Sequence, residues 1–409
     1  MKKILDRAFL DSIAQKFGDA FYLLEPSVFM ENYKELKDAF QLYYPRCNIA
    51  YSYKTNYTPT LVSMVEMLGG YAEVVSDMEM EVAIKSKVKP NHIIWNGPVK
   101  NMKKVEELLL AGGTVNVDSV IEYEQIKKLA DSNKNTTFSI GIRCNYDVGD
   151  GVLSRFGFDV EGKDFDGTLR SIQLSSNIKL ISLHAHFAKR LPEYWTARAE
   201  GMLKVYDYVL HTYGIQVDRL DIGGGIYGKM HEKLSKQLGV HSATFADYAS
   251  RAAKLFKEHF EGVENKPWLF IEPGSALVGD CVRFVCRVKS IKEIRGKVIA
   301  TTIGSQKNIS MSGINPPIEI VDGGGDREAV TDADIVGFTC IENDVLQKNY
   351  SGKLGVGDYL IIENCGSYSL VMKPPFILPN FAVLNIDNDE VEVIKRAECF
   401  DDLFCTFSF

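Results

Sequence analysis

The sequence predicts an α/β protein with a (β/α)8 barrel of the TIM type and a second, β-rich domain. From Asn48 onward, short β-branched and aromatic runs alternate with amphipathic helical stretches, a pattern typical of parallel strands joined by crossover helices. After Glu272, strand-like runs follow one another between Gly, Asn and Asp turns. The length of 409 residues accommodates a barrel of about 250 residues and a companion domain.

The barrel is predicted from strand-like runs that begin at Asn48, Tyr71, Ile93, Thr114, Phe138, Lys179, Arg219 and Trp268. Eight is the number of strands that closes a parallel barrel. Between them, segments such as MKKVEELLLAG and VIEYEQIKKLADS carry apolar residues three or four positions apart, as amphipathic helices do. We therefore expect the barrel to span residues 28–274.

The second domain is predicted from runs at residues 281–290, 298–302, 335–340, 359–363 and 391–394. We expect a C-terminal β-sandwich or β-barrel domain that is formed by residues 275–409 together with residues 1–27.

Composition narrows the class of function. The net charge is −7, and the sequence has no block of Lys or Arg residues, which argues against nucleic acid or an anionic membrane as the main partner. No apolar run reaches the roughly 18 residues of a membrane span. The eight cysteines contain no CxxC pair, so neither a zinc ribbon nor a disulfide framework is indicated. We expect a cytoplasmic protein with free thiols and a small-molecule or protein partner.

Candidate functional residues stand where the predicted barrel strands end, because barrel enzymes carry their chemistry at that face. The first strand ends in Lys54, where partial desolvation would favour a nucleophilic amine, although a solvated lysine is the simpler reading. The sixth ends in His184-Ala185-His186, and alternation places both imidazoles on one face. A metal site is the alternative to a packed or stacking histidine, but two histidines alone are weak support for zinc, so we expect no metal.

Two further strand ends complete the pattern. The seventh strand runs into Gly223-Gly224-Gly225, where backbone N–H groups could approach a phosphate, although a tight turn would also explain a lone glycine run. The eighth ends in Glu272-Pro273-Gly274, which places a carboxylate at the barrel mouth. Together these strand ends predict a binding site for pyridoxal phosphate, with a nucleophilic lysine, a flat imidazole, a phosphate loop and a carboxylate.

At this point the chain resembles the fold-type III pyridoxal-phosphate decarboxylases, a group that includes diaminopimelate, ornithine and arginine decarboxylases and has an alanine racemase-like barrel. The resemblance covers nearly the whole chain. It rests on the order and spacing of YSYKTN (51–56), AEVVSDMEM (72–80), NVDS (116–119), SRFGF (154–158), LHAHF (183–187), LDIGGG (220–225), IEPG (271–274), CIENDVL (340–346) and CGSYS (365–369).

The resemblance implies a role for each matching residue. Lys54 would form a Schiff base with the cofactor, His186 would stack on its ring, and Glu272 would pair with the pyridine nitrogen. Gly223 to Gly225 would hold the phosphate. In this group the β-domain of one subunit supplies a cysteine to its neighbour's site. The resemblance therefore also implies a homodimer with shared active sites. The residues of the second domain and of its boundary that would contribute are Cys340 as a catalytic residue, Ser275 and Tyr368 at the cofactor and substrate, and Ile341 at the substrate.

The departures from the group concern charge. The stacking histidine is usually followed by a Gly-Ser pair, but here Phe187 leads to Ala188-Lys189-Arg190. An arginine usually stands at the position of Ser275, an acidic residue at that of Ile341, and a further arginine in the segment that matches TTIGSQKNISMSG. A zwitterionic substrate tail without charged partners would be costly to bury. We therefore expect an amino-acid α-decarboxylase whose substrate is not free diaminopimelate but a non-standard or carrier-linked amino acid, unless Lys189 or Arg190 compensates.

Two alternatives to a decarboxylase remain open. A pyridoxal-phosphate racemase would use a related barrel, but racemases usually pair the ring nitrogen with arginine, whereas this chain has Glu272. A catalytically inactive relative that binds a partner protein would be favoured by loss of Lys54 or Cys340, and the sequence has both.

Overall fold

The computed structural model describes residues 2–240, 243–310 and 314–409. Three residues of the segment TTIGSQKNISMSG, Met311 to Gly313, lie outside the described residues. The chain divides into two compact units. The barrel unit consists of Asn32–Gly228 and Ser242–Ala276, and the β-rich unit consists of Met1–Glu31, Lys229–His241 and Leu277–Phe409.

Strands and helices are numbered along the chain. The strands are β1 (Ala20–Leu24), β2 (Cys47–Ser52), β3 (Tyr71–Val74), β4 (Ile93–Trp95), β5 (Thr114–Val117), β6 (Phe138–Asn145), β7 (Phe158–Asp159), β8 (Ile178–His184), β9 (Arg219–Asp221), β10 (Trp268–Ile271), β11 (Val282–Ile294), β12 (Lys297–Thr302), β13 (Ile318–Val321), β14 (Arg327–Val336), β15 (Val345–Gly355), β16 (Tyr359–Ile362), β17 (Ala382–Asn385) and β18 (Glu392–Lys395). The helices are α1 (Arg7–Phe17), α2 (Pro26–Gln41), α3 (Pro59–Met67), α4 (Asp77–Lys85), α5 (Met102–Leu110), α6 (Val120–Ser132), α7 (Lys163–Gln173), α8 (Glu193–Tyr213), α9 (Glu232–Gln237), α10 (Phe245–His259), α11 (Ser275–Val278), α12 (Gln306–Ile309) and α13 (Phe400–Phe404).

The barrel unit contains a closed ring of parallel strands in the order β2-β3-β4-β5-β6-β8-β9-β10, and β10 pairs again with β2. The ring closes with Leu269 opposite Cys47 and Ile271 opposite Ile49. The short strand β7 extends the sheet beside β6. The predicted (β/α)8 barrel with a separate β-rich domain is confirmed.

The N-terminal end of the barrel is filled by apolar and aromatic side chains. The packed group consists of Ala50, Ile94, Phe270 and Tyr71. The guanidinium of Arg219 lies 5.5 Å from the centre of the Phe270 ring and donates to Thr114 Oγ1 at 2.6 Å. Because this end is filled, the C-terminal end of the strands is the face open to chemistry.

The first barrel strand is shorter than expected. It ends at Ser52, and Tyr53–Thr55 form a 3-10 turn that carries Lys54. The hydroxyl of Thr55 donates to the Ser52 carbonyl at 2.7 Å and closes this turn. Lys54 therefore belongs to a tight turn after the strand and not to the strand itself.

The β-rich unit is built on a sheet with the order β15-β14-β12-β11-β1-β17-β18, and β16 pairs with β11 and β13. The N-terminal strand β1 lies in its interior, antiparallel to β11 and parallel to β17. Apolar side chains of α1 and of four strands pack together in its core, which includes Leu5, Leu10, Ile13, Phe21, Leu23, Val285, Tyr359, Ile361, Ala382, Leu384 and Ile386.

The prediction of one strand of this unit is wrong at the C-terminal end of the strand. The run 335–340 was expected to be a strand, but β14 ends at Val336. The buried carboxylate of Asp344 accepts from the Thr339 hydroxyl at 2.6 Å and from the Ser305 hydroxyl at 2.9 Å. These side-chain hydrogen bonds turn the chain out of the sheet. Cys340 consequently lies in a loop.

The division into units differs from the predicted boundaries mainly at one internal segment, while the barrel unit begins at Asn32 instead of residue 28 and ends at Ala276 instead of residue 274. Lys229–His241 groups with the β-rich unit, although it falls inside the predicted barrel range of 28–274. The amide of Asn364 donates to the Lys229 carbonyl at 3.1 Å, and that of Gln237 donates to the Asn315 carbonyl at 2.9 Å. These contacts attach the segment to residues near β16 and β13.

Among the described residues, no helix combines the length and apolar character that crossing a bilayer requires.

Candidate active site

Polar side chains gather at the C-terminal ends of the barrel strands. Each strand of the closed ring contributes at least one of them at or next to its end: Lys54, Glu73, Asn96, Asn116, Arg143, His184, Asp221 and Glu272. Seven of these eight are buried, and the Lys54 side chain is 33% exposed. Barrel enzymes build their active sites at this face.

Glu272 is the centre of this group. It follows β10 directly, and its carboxylate accepts a hydrogen bond from Asn96 Nδ2 at 2.6 Å. His184 Nε2 lies 3.2 Å from a carboxylate oxygen of Glu272, and His186 Nδ1 lies 3.8 Å from one. The two histidines predicted to share a face therefore both approach this carboxylate.

Two buried carboxyl groups near the centre have opposite protonation preferences. Burial, followed by the negative charge of Glu272, raises the pKa of Asp221 well above its usual range. Burial also disfavours the charged form of Glu272, but the hydrogen bond and field of His184, with the cation of Lys54, outweigh it and hold the pKa of Glu272 below its usual range. Hence the surroundings favour the charged form of Glu272 and the protonated form of Asp221.

Lys54 pairs with a second carboxylate at the barrel mouth. Its amine donates to Glu73 on β3. Asn96 Nδ2 also donates to Glu73, at 3.1 Å, and Asn116 Nδ2 donates to Asn96 Oδ1 at 2.7 Å. A chain of hydrogen bonds therefore links the partner of Lys54 to Glu272.

His186 lies in the loop after β8 with 32% of its side chain exposed. Its Nδ1 accepts the backbone N–H of Gly224 at 3.1 Å, so this nitrogen carries no proton. Desolvation of the ring, followed by the nearby cation of Lys54, holds the pKa of His186 well below its usual range. The imidazole is therefore neutral, and a neutral flat ring is suited to stacking on another ring.

The Gly223–Gly225 loop fits closely against its neighbours. Gly223 has a φ of 73°, and a Cβ there would lie 2.9 Å from His186 Nδ1. A Cβ at Gly224 would collide with the Glu272 carbonyl. Gly223 N–H donates to Asp221 Oδ1 at 2.9 Å. Only glycine, which has no Cβ, allows the backbone of this loop to lie between His186 and the segment that carries Glu272.

The cluster of His184, Asp221 and Glu272 also has donor atoms of the kind that bind metals, all within 4.8 Å of one another. Their pairing in the structure is internal, since His184 contacts Glu272 and Asp221 accepts from Gly223. The expectation that the chain binds no metal stays a prediction.

The remaining predicted site residues have varied surroundings. Ser275 is the first residue of α11 and follows Glu272 by three positions. Cys340 is an exposed free thiol of the β-rich unit. Ile341 is 38% exposed, and Tyr368 is 37% exposed with a φ of 66°. Ser275 belongs to the barrel unit, and Cys340, Ile341 and Tyr368 belong to the β-rich unit.

Sequence reasoning missed the polar side chains that connect the site. Glu73, Asn96 and Asn116 stand within or next to short barrel strands, and Asp221 precedes the glycine loop. The signal that could have found them is the presence of buried polar residues near the C-terminal ends of apolar barrel strands. Arg143 on β6 belongs to the same set, with its Nε 3.9 Å from Asp118 Oδ1.

Comparison with known proteins gives a consistent family. Residues 29–279, more than half of the chain, match the family model described as pyridoxal-dependent decarboxylase, pyridoxal binding domain. The chain belongs to the pyridoxal-dependent decarboxylase family. The predicted cofactor, pyridoxal phosphate, and the predicted class, a pyridoxal-phosphate-dependent carboxy-lyase, are confirmed by this match, which does not favour the racemase or the inactive binding protein.

Individual members of the pyridoxal-dependent decarboxylase family resemble the chain along most of its length. A diaminopimelate decarboxylase of Methanothermobacter thermautotrophicus is 24% identical over 403 residues, which cover 96% of this chain and 92% of the relative. The crystal structure of diaminopimelate decarboxylase from Helicobacter pylori complexed with L-lysine aligns with a TM-score of 0.83 at 23% identity, covering 97% and 98% of the two chains. The lysine/ornithine decarboxylase from Vibrio vulnificus complexed with putrescine aligns with a TM-score of 0.76 at 19% identity, covering 93% and 98%.

The residues of the barrel mouth fit the family's cofactor. Among the described residues, three buried polar atoms of the site have no hydrogen-bond partner: Asn116 Oδ1, His184 Nδ1 and Asp221 Oδ2. A primary amine, a neutral imidazole, an ionised carboxylate and a glycine loop lie around the same strand ends. These are the groups needed for covalent capture, ring stacking, a ring-nitrogen partner and a phosphate anchor.

Proposed function

We propose that this chain removes the α-carboxylate of an amino acid as carbon dioxide at the C-terminal face of its barrel. The observation that carries the proposal is the buried, ionised carboxylate of Glu272 between two imidazoles, beside the glycine loop and the amine of Lys54. Pyridoxal phosphate, when bound, supplies the electron sink for the pair left by the departing carbon dioxide.

Glu272 would hold a proton on the pyridine nitrogen through its negative charge. This contact strengthens as negative charge moves toward the nitrogen in the transition state, so it accelerates the chemical step more than it tightens binding. The hydrogen bond from Asn96 and the contact with His184 fix the carboxylate in place. No reorganisation is then required at the moment of reaction.

Lys54 and His186 would both hold the cofactor, by covalent capture and by stacking respectively. The Lys54 amine would capture the aldehyde covalently and then release it to the substrate amine. Its hydrogen bond to Glu73 orients the amine before it reacts. His186 would hold the ring by stacking, since its neutral imidazole adds no charge. Lys54 or Cys340 would return a proton to the α-carbon.

Three glycines and two further side chains would hold the cofactor's phosphate. The N–H groups of Gly223 and Gly224 donate to Asp221 and His186, so these two residues would give the phosphate close approach and the Gly225 N–H would be the donor of the loop. Ser275 and Tyr368 would add hydroxyl donors. Ser275 and Tyr368, with Ile341, would also face the substrate. The exposure of Tyr368 and Ile341 leaves their side chains free to make such contacts.

We propose further that the substrate is not free diaminopimelate. The names of the relatives point to diaminopimelate, but their identities of 24–28% leave room for a different tail. Ser275 and Ile341 replace residues whose charges, by the family resemblance, grip the distal carboxylate and amine. A substrate with a neutral tail, or an amino acid linked to a carrier, fits uncharged side chains better.

Carbon dioxide release from a panel of amino acids tests the substrate. We expect kcat/KM for meso-diaminopimelate to lie on the order of a hundredfold or more below that of the best substrate, because each missing charge-assisted hydrogen bond costs about 1.5–3 kcal/mol. The panel includes lysine, ornithine, arginine and carrier-bound aminoacyl groups. If diaminopimelate proves the best substrate, the argument from missing charges is wrong, and Lys189 and Arg190 become the candidates for its recognition.

The protein is also proposed to act as a homodimer with two shared sites. The family resemblance assigns the cysteine at position 340 to the neighbouring subunit's site, and the exposed thiol of Cys340 is available for such a contact. In a two-fold dimer, the contact made by Cys340 would occur twice, once for each site.

Subunit mixing tests the shared site. Lys54→Ala and Cys340→Ala proteins should each be inactive, whereas an equal mixture should recover about a quarter of wild-type activity, since half of the dimers are hybrids with one intact site of two. Tags of different size verify subunit exchange, and each variant exchanged with itself is the control. No recovery after verified exchange would show that each site is complete within one subunit.

A further inference from the structure

Arg198 on α8 is a fully buried arginine beside the glycine loop. Its side chain is 0% exposed. Nη1 donates to the Gly224 carbonyl at 2.7 Å, and Nη2 donates to the Lys189 carbonyl and, at 3.5 Å, to the Phe187 carbonyl. The guanidinium therefore joins the loop after β8 to the loop after β9.

These partners are neutral, so the guanidinium of Arg198 has no ion-pair partner among the described residues, and the carboxylate of Asp150 acts on it only through its field. Within residues 2–240, 243–310 and 314–409, no salt bridge includes Arg198, and its Nε has no hydrogen-bond partner. Burial lowers the pKa of Arg198 to about 10, so the guanidinium still carries its charge at neutral pH. An unpaired buried cation is costly, and a nearby anion would offset that cost.

Gly225 lies against this cation. Gly225 has a φ of 88°, and a Cβ built on it would lie 3.6 Å from both Nη1 and Nη2 of Arg198. The same point lies 3.5 Å from Cγ of Arg190, whose Nη2 donates to the Ile226 carbonyl at 3.0 Å. Two cationic side chains thus border the end of the glycine loop.

We propose that Arg198 is the buried countercharge for the cofactor's phosphate and the positioning residue of the glycine loop. Arg198 would position the loop by its hydrogen bond to the Gly224 carbonyl. It would attract the phosphate through its electrostatic field at Gly225. This assignment rests on the proposed function, because it requires the phosphate to lie at Gly223–Gly225. Relatives usually have a Gly-Ser pair where this chain has Phe187 to Arg190. Arg198 on α8 would replace part of the interaction with the phosphate that this pair makes.

The test compares the binding of pyridoxal phosphate with that of pyridoxal, which lacks the phosphate. Cofactor-free protein is titrated with each compound, and the dissociation constants are read from the absorbance change. Arg198→Gln retains an amide donor for the Gly224 carbonyl but removes the charge. We expect it to weaken pyridoxal phosphate binding by on the order of tenfold to a hundredfold and to leave pyridoxal binding nearly unchanged.

A matched control is Arg219→Gln. Arg219 is also buried, but it lies at the N-terminal end of the barrel, where it donates to Thr114. Its replacement should leave the ratio of the two dissociation constants as in the wild type. Equal weakening of both compounds in Arg198→Gln would indicate a structural role only, and an unchanged ratio would likewise overturn the assignment.

Thermal unfolding of the cofactor-free variants establishes that they fold. If Arg198→Gln does not fold, Arg198→Met replaces it, since methionine also removes the charge and keeps much of the length of the side chain. The dissociation constant of pyridoxal phosphate should then rise relative to that of pyridoxal, and an unchanged ratio in a folded Arg198→Met protein would refute the proposal. Borohydride trapping on Lys54 in the same samples separates this failure from failure of the proposed function.

Discussion

Replacement of Lys54 by alanine is expected to abolish covalent capture of pyridoxal phosphate and to lower kcat by on the order of 10⁴-fold or more, as loss of a covalent nucleophile does. The amine lies on the 3-10 turn after β2, held by Glu73 at the barrel mouth. Arginine at this position would keep the cation beside Glu73 but would form no Schiff base. Lys54→Arg should therefore fold and remain inactive.

Borohydride reduction followed by peptide mass analysis measures the capture. Wild-type protein should carry the reduced cofactor on the peptide that contains Lys54, and both variants should remain unlabelled. Lys179→Ala, which removes an exposed lysine at the other end of the barrel, is the control and should label normally. A labelled Lys54→Ala protein would assign the cofactor to a different lysine.

Replacement of Glu272 by glutamine is expected to lower kcat by on the order of 10²–10³-fold, the effect of losing one preorganised electrostatic contact. The glutamine retains the size of the side chain and an oxygen that can accept from Asn96. It loses the charge that the surroundings of Glu272 maintain. Because that charge matters most in the transition state, cofactor affinity should change little.

Steady-state kinetics and cofactor titration separate the two effects. Glu66→Gln, which changes a carboxylate paired with His92 on the outside of the barrel, is the control and should keep wild-type kcat. An unchanged kcat in Glu272→Gln would contradict the role of this carboxylate. A loss of cofactor affinity that accounts for the whole decrease would assign Glu272 to binding alone.

The barrel and the residues at its mouth were predictable to different degrees. The alternation of strands and helices from Asn48 predicted the closed ring, because parallel strands are apolar and their crossover helices are amphipathic. Lys54, His186, Glu272 and the glycine loop stood out by chemistry at strand ends. Single residues such as Asn96 did not, because an asparagine near a strand end has no local signature until the fold closes it onto Glu272.

The β-rich unit was less predictable. Its strands β13 and β17 have partners distant in sequence, and β15, which pairs with the preceding strand β14, carries lysines and glycines among its residues. The side-chain hydrogen bonds of Asp344 end β14 earlier than its residues suggest. Local propensity decides little in such a sheet, since each strand depends on the fit of its neighbours.

The interior position of β1 sets an order of assembly during protein synthesis. Leu23 pairs with Arg283 on β11 and with Leu384 on β17, so β1 gains its last neighbour only after β17 has been synthesised. At about 5–20 residues per second, that interval is on the order of tens of seconds. Throughout it, the nascent chain carries the apolar segment AFYLL with at least one edge unpaired. A holding chaperone would have its most useful binding site there.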